Sequence, residues 1–429
     1  MSLPESPSIL SFEDARHVVE EHAAGIAPIS KESVDLLQSV GRVLAEPLVA
    51  DRDFPPFPRA TRDGYALLSA DLRQMPAWMK VIGEIKAGAS PDQLPAKLNP
   101  GEAVAIMTGA PVPLGADAVV MVEYTSRTGN RVEITKDVCS GENIVPTGAE
   151  AHRGDILLKP GVRLDAAAIA IAASVGKGRV EVYRQTRVAI LATGDELVDV
   201  GRRPGDNEIR NSNSYSLAAQ VQSAGGRPEL LPIAPDEPKR LRALIEKGLQ
   251  ADLLLLTGGV SMGKYDLVEQ ILAELKAEFF FTGAQIQPGR PVVFGRYRAR
   301  ESSDGRRRKP ARHKSDRPTY LFGLPGNPVS TMVTFELFAR PLLEALAGTT
   351  PRPLVFLHAK LKSEIKTKTG LKRFLPGIVS GEFERTEVEL IRWQGSGDLA
   401  ATGRANCYVV VPPDRDRIPA GEWVAVLPR

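Results

Sequence analysis

Three carboxylates, Glu196, Asp236 and Asp266, and two glycine-rich turns of this chain follow apolar, strand-like runs. The run 187–193 leads into Gly194-Asp195-Glu196, and the run 228–233 leads into Asp236. The run 252–257 continues as Thr257-Gly258-Gly259-Val260-Ser261-Met262-Gly263-Lys264-Tyr265-Asp266, and the run 319–322 as Gly323-Leu324-Pro325-Gly326-Asn327-Pro328. In an open parallel sheet such positions gather outside the carboxyl ends of the strands, where ligands bind. Glycine-rich turns at helix N-termini offer free N–H groups and a positive dipole end to an oxyanion. Carboxylates alone repel one. A hard cation such as Mg²⁺, which takes oxygens from one or two carboxylates and from phosphates, reconciles the two sets of charge. The expected chemistry is a phosphate-type anion held with a metal by Glu196, Asp236 and Asp266.

Each residue also has an ordinary structural reading. Asp236 precedes Glu237-Pro238 and Asp266 precedes an apolar periodic run, so both suit helix N-caps, as does Asn327 before Pro328. Glu196 has no such role. Gly258 to Lys264 fits the first seven positions of a P-loop, but Tyr265 replaces the Ser or Thr that ligates Mg²⁺. A P-loop nucleotide enzyme is therefore the weaker alternative. With five histidines and none beside a serine or cysteine elbow, no Ser-His-Asp or Cys-His nucleophile is expected.

The elements that must position these residues follow from periodicity. The first fifty residues read as two helices, one opened by the capping-box spacing of Ser11 to Asp14 and a second closed by Gly41 after Val34, Leu36, Leu37 and Val40. Short β-type runs at 80–86, 103–107, 118–124 and 131–135, punctuated by Gly and Pro, define a β-rich segment. After an Ala/Ile-rich helix, strands and helices alternate from 187 to 347, with a hairpin-like pair at 279–286 and 291–298. Alternation of this kind implies a parallel sheet covered on both faces. The expected architecture is multidomain α/β: a helical domain of 8–50 and 152–185, a β-rich insertion of 51–151, a doubly wound domain of 186–348, and a small β domain of 349–429.

A chain of 429 residues is long enough for several domains, and 43% apolar with 25% charged residues is the composition of a globular protein. Its mainly apolar run at 166–175 is too short to span a bilayer, and its two cysteines, Cys139 and Cys407, lie too far apart for a CxxC site, so a cytoplasmic protein without a membrane partner is expected. The net charge of +3 is a cancellation. Residues 296–318 hold ten Lys/Arg against three Asp/Glu, a local +7, which leaves a net −4 on the rest. That stretch reads as a solvated insertion, and nucleic acid is not an expected partner.

Several motifs together resemble the molybdopterin molybdenumtransferases, the family of the bacterial MoeA type and the gephyrin E domain. They are DGYA at 63–66, MTGAPVP at 107–113, TGDEL at 193–197, TGGVSMG at 257–263 with Asp266, PGRP at 288–291, GLPGNPVS at 323–330, and QGSGDL with GRAN at 394–406. The resemblance implies a four-domain homodimer that inserts molybdenum from molybdate into adenylylated molybdopterin with Mg²⁺-dependent release of AMP. It implies that Asp63, Thr108 and Glu150 reach the same cleft from the other chain. It places substrate over Thr193, Gly194, Gly258, Gly259, Ser261, Gly263, Pro325, Gly326, Asn327 and Pro328, with Arg290, Ser330, Arg373 and Ser396 as candidates for the molybdate dianion. A non-catalytic scaffold of the gephyrin type is the alternative within the resemblance. The sequence departs from the family at Gln287 and Arg290, where two lysines are usual, and at Glu150, where the usual Gly-Glu-Asp turn reads Gly148-Ala149-Glu150.

Overall fold

The computed structural model describes residues 9–259, 267–299 and 317–429. The first helix, α1 (Phe12–Ala24), starts where the capping-box spacing predicts. Ser11 Oγ accepts from the Asp14 amide at 3.0 Å and donates to the Asp14 carboxylate at 2.7 Å. The second expected helix is not formed. Lys31–Asp35 is a strand paired antiparallel with Arg179–Tyr183, and only a 3₁₀ turn, Leu36–Ser39, precedes Gly41. A partner about 145 positions away in sequence, Val180 opposite Val34, overrides the local helical spacing. The Ala/Ile-rich segment is a helix, α2 (Ala166–Ser174), packed with Leu44, Leu48, Val180 and Val182.

The β-rich segment holds one six-stranded sheet. Its strands, in spatial order, are Ala118–Met121, Gly64–Leu67, Glu102–Ile106, Ala77–Ile85, Arg131–Ile134 and Thr125–Thr128. The centre of the chain forms the doubly wound layer: β1 (Arg187–Ala192), α3 (Asn213–Ser223), β2 (Arg227–Leu230), α4 (Pro238–Gly248), β3 (Leu253–Thr257), α5 (Leu267–Glu274), β4 (Glu278–Phe281), β5 (Val293–Tyr297) and β6 (Thr319–Leu324). After β6 the chain enters α6 (Pro328–Thr334), which runs through a π-helical turn, Phe335–Ala339, into α7 (Arg340–Leu346).

The strand order is β2-β1-β3-β6-β5-β4. The first four strands are parallel, and β5 runs antiparallel to both of its neighbours, β6 and β4, so the sheet is mixed rather than all-parallel. Leu253 to Leu256 of β3 are all fully buried because helices cover both faces. Each contributes about 1.5–3 kcal/mol over an exposed position. One face carries α1, α3, α6 and α7, and the other carries α4 and α5. The order reverses between β1 and β3, which opens a crevice at their carboxyl ends.

Two departures from the sequence expectation matter for the site. Residues 283–287 do not extend β4; Gly283–Ala284 pairs with Ile9–Leu10, and Ile286–Gln287 pairs with Lys372–Arg373 of the C-terminal region. That region is a closed barrel, in which Lys372–Ser380 pairs on one side with Glu387–Leu390 and on the other with Cys407–Val411. Closure removes the exposed edges that an open sheet of this size would present. Among the described residues no helix is long and apolar enough to cross a membrane.

Candidate active site

The carboxyl ends of β1, β3 and β6 meet without room for side chains. A Cβ on Gly258 would fall 2.3 Å from the Thr193 carbonyl oxygen, and one on Gly259 would fall 2.6 Å from Thr193 Oγ1. Both glycines have positive φ, +84° and +61°, so packing and backbone conformation each demand glycine. The Gly326 position lies against Gly258, with its Cβ site 3.5 Å from the Gly258 Cα. Backbone therefore lines the floor of the crevice.

Asn213, the first residue of α3, ties these turns together. Its side-chain amide donates to Thr257 Oγ1 at 2.9 Å and to the Gly326 carbonyl at 2.7 Å. Thr257 Oγ1 in turn donates to the Pro325 carbonyl at 3.2 Å. Among the described residues Asn213 Oδ1 and Thr193 Oγ1 are buried without a hydrogen-bond partner. Buried polar atoms are rarely left so, and both of these residues line the crevice. The sequence reading missed Asn213; the available signal was its place at a helix N-terminus directly after the first βα loop.

The acidic residues gather at one rim. The Asp236 amide donates to Asp195 Oδ1 at 3.1 Å. The Asp236 carboxyl is pushed above the usual range by partial burial, then by the charges of Asp195 and Glu196. Asp236 does not cap α4, because Glu237 occupies the N-cap position and makes no side-chain cap bond. Glu196 folds back over Gly194, whose Cβ position lies 2.4 Å from Glu196 Oε2. Among the described residues no cationic side chain pairs with Asp195, Glu196 or Asp236, and no three His, Cys, Asp or Glu side chains cluster at metal-holding spacing. Ser261, Gly263 and Asp266, with 260–264 of the P-loop-like stretch, lie outside the described residues, as does 300–316 of the basic stretch.

Two cavities occupy the crevice. One of about 380 Å³ is lined by Thr193, Glu196, Arg210, Asn213, Gly258 and Gly326, and the other, of about 340 Å³, by Gln287, Gly289, Arg290, Ser330, Trp393 and Ser396. They share Pro291, Pro325 and Asn327, so they form two halves of one cleft. The N-cap of α6, Asn327, also makes no side-chain cap bond. Its amide donates instead to Ser396 Oγ at 2.9 Å, and the Val329 amide donates to the Ser396 carbonyl at 3.0 Å. Arg373 lies behind the second half, 7% exposed, and donates to Gln287 Oε1 at 2.9 Å and to the Leu371 carbonyl at 3.0 Å.

The β-rich segment holds a separate cluster. Asp63 precedes the strand Gly64–Leu67 and Thr108 follows the strand Glu102–Ile106, and the register sets Gly64 opposite Ile106. Both the amide and the hydroxyl of Thr108 donate to Asp63 Oδ1 at 2.7 Å. These two bonds, led by the amide, hold the Asp63 carboxyl below its ordinary pKa. Gly64 has no alternative, since a Cβ there would lie 1.8 Å from the Val120 carbonyl oxygen. Glu150 pairs with Arg59 at 2.5 Å. Asp63, Thr108 and Glu150 are all exposed, and none of them lines either half of the cleft of its own chain.

The comparisons with known proteins cover most of the chain. Residues 10–176 match the MoeA N-terminal region (domain I and II), 189–345 the probable molybdopterin binding domain, and 358–428 the MoeA C-terminal region (domain IV). The molybdopterin molybdenumtransferase of Nostoc sp. is 36% identical over 409 residues, covering 92% of this chain and 88% of that protein. This chain belongs to the molybdopterin molybdenumtransferase family. The Bacillus subtilis molybdopterin molybdenumtransferase is 32% identical over 92% of this chain and 89% of its own. The crystal structure of the molybdopterin biosynthesis moeA protein from Pyrococcus horikoshii superposes with a TM-score of 0.76 at 28% identity, over 98% of this chain and all of that one. The chain is thus a transferase of molybdenum cofactor biosynthesis, and the mixed α/β layer with its closed barrel is a multidomain fold of the MoeA type.

Proposed function

We propose that the cleft binds adenylylated molybdopterin and molybdate and couples release of AMP to insertion of molybdenum. The observation that carries this reading is the division of one cleft into two halves of unlike chemistry. The half floored by Gly258 and Gly326 offers backbone and the N-terminus of α3 to phosphates. The half with Arg290, Ser330 and Ser396 offers a cation and two hydroxyls to a dianion. Arg290 presents a fork of donors in place of a point charge. Asn327, shared by both halves, sets molybdate beside the bond to be cleaved. Water replaces AMP on the pterin phosphate as the pyrophosphate bond breaks, and molybdate exchanges oxygen ligands, lost as water, for the two dithiolene sulfurs.

Asp236 supports a divalent cation. Among the described residues Asp195, Glu196 and Asp236 have no cationic partner, and partial burial, then the charges of Asp195 and Glu196, raise the Asp236 pKa; Mg²⁺ favours one or two carboxylates with substrate phosphates completing its shell. Glu196 and Asp236 would hold it, with Asp266 added by the family pattern. When bound it neutralises phosphate charge. The chain's own contribution is positioning: Asn213 locks the β3 and β6 turns, and Gly258 and Gly259 admit the ligand to the backbone.

The exposed Asp63–Thr108 pair, with Glu150, would complete the cleft of a second chain in a homodimer, the whole acting in the cytoplasm. The deciding experiment incubates the protein with adenylylated molybdopterin, Mg²⁺ and molybdate or tungstate and measures AMP. Release with at least one anion supports the reading; none with either rejects it in favour of a scaffold.

A further inference from the structure

A cavity of about 430 Å³, larger than either half of the cleft, lies at the opposite end of the α/β sheet. It is bounded by Asp252 and Thr319, where β3 and β6 begin, and by the end of α1. His22, Leu346 and Tyr320 supply an apolar and aromatic wall, and Arg296, Arg298 and Arg317 supply charge. Its size lies within the range of small-molecule sites.

The charges do not balance. Arg296 is engaged by Glu278 at 2.6 Å. Arg317 donates only to the carbonyls of Ala27 and Pro28, at 3.1 and 2.8 Å, and Arg298 has no hydrogen bond or ion pair among the described residues. On the acidic side, Asp252 is spent on Arg184 through both oxygens, and Glu21 lies 3.1 Å from His17 at the surface. Among the described residues, therefore, neither Arg298 nor Arg317 is paired with a carboxylate, and Glu21 and Asp252 are the acidic residues of the lining. The wall beside them is preformed. The His22 ring stacks on Phe280 at 3.9 Å and meets Tyr320 edge-on at 6.0 Å. Tyr320 is 7% exposed.

We propose that this cavity is a second ligand site, separate from the cleft, for a small amphipathic anion: a ring-sized apolar body with one carboxylate or phosphate group. The body lies against Tyr320, His22 and Leu346, and the head meets Arg298 with Arg317.

The test is calorimetric titration of the full chain with benzoate and with phenyl phosphate, which separates the two head groups. Saturable binding of one or both at a single site is expected. Arg298→Glu should weaken it roughly tenfold or more, the loss of one charge-assisted bond. Arg298→Lys should retain most of it, and AMP release should not change. Arg290→Ala should leave binding intact. Absence of binding by either probe, or binding abolished by Arg290→Ala and untouched by Arg298→Glu, overturns the proposal.

Discussion

Asn327 and Ser396 join the α/β layer to the C-terminal barrel through one bond: the Asn327 amide donates to Ser396 Oγ across 2.9 Å. The two residues are 69 positions apart, and both face the half of the cleft that contains Arg290. Their contact places a barrel hydroxyl beside an α/β turn at the point where the two halves meet. Ser396→Ala should therefore raise the KM for molybdate while changing stability by only about 0.5–1.5 kcal/mol, the value of one ordinary hydrogen bond. A thermal melt and AMP release at varied molybdate check this. A large loss of stability with unchanged KM would make Ser396 a purely structural link.

Asp236 should behave as a residue kept at a cost to stability. Its carboxyl pKa is raised, so the folded protein favours the protonated form. The favourable state is fully present below the unfolded carboxyl pKa and is lost as pH rises through the raised folded value. Asp236→Asn removes the cost of burying the charge and its repulsion by Asp195 and Glu196. The variant should melt at the same or a higher temperature at neutral pH, should lose the stabilisation that Mg²⁺ gives the parent, and should release no AMP. A lower melting temperature with an intact Mg²⁺ shift would remove Asp236 from the cation site.

Gly258→Ala should be destabilising by about 1–3 kcal/mol, because alanine there meets the Thr193 carbonyl at 2.3 Å and takes a left-handed conformation. Urea unfolding measures the effect. An unchanged midpoint would show that the turn relaxes freely.

Asn213→Ala should leave the fold in place and reduce kcat by at least tenfold, since the β3 and β6 turns lose their common donor. The unfolding midpoint provides the control. Equal loss of stability and activity would assign Asn213 a role in folding alone.

Mixed chains test the shared cleft. Asp63→Asn and Asp236→Asn should each be inactive, and a refolded equal mixture should recover about a quarter of the parent activity, because mixed dimers carry one intact cleft. No recovery would place both residues in one chain's cleft or in none.

Much of this site is legible before folding is considered. Gly194, Gly258, Gly259 and Gly326 follow apolar runs, and strand ends in a doubly wound sheet converge by topology alone. The start of α1 is legible for the same reason: Ser11 and Asp14 satisfy each other locally. The helical reading of 34–40 failed because the segment's partner is Arg179–Tyr183, which local periodicity does not contain. Asp236 and Asn327 each looked like caps, but Glu237 takes the N-cap position of α4, and Asn327, though at the N-cap of α6, gives its side-chain amide to Ser396 instead of its helix.

By itself the sequence determined which residues are able to do the chemistry, because glycine, carboxylate and guanidinium carry their conformational and charge properties wherever the chain places them. The tertiary structure alone decided which of them meet. Gln287 joins the barrel rather than β4, Arg373 lies behind it, and Asp63 with Thr108 stands outside its own chain's cleft. These outcomes depend on pairings between segments far apart in sequence, whose energies arise only when the sheet, the barrel and their connecting turns close together.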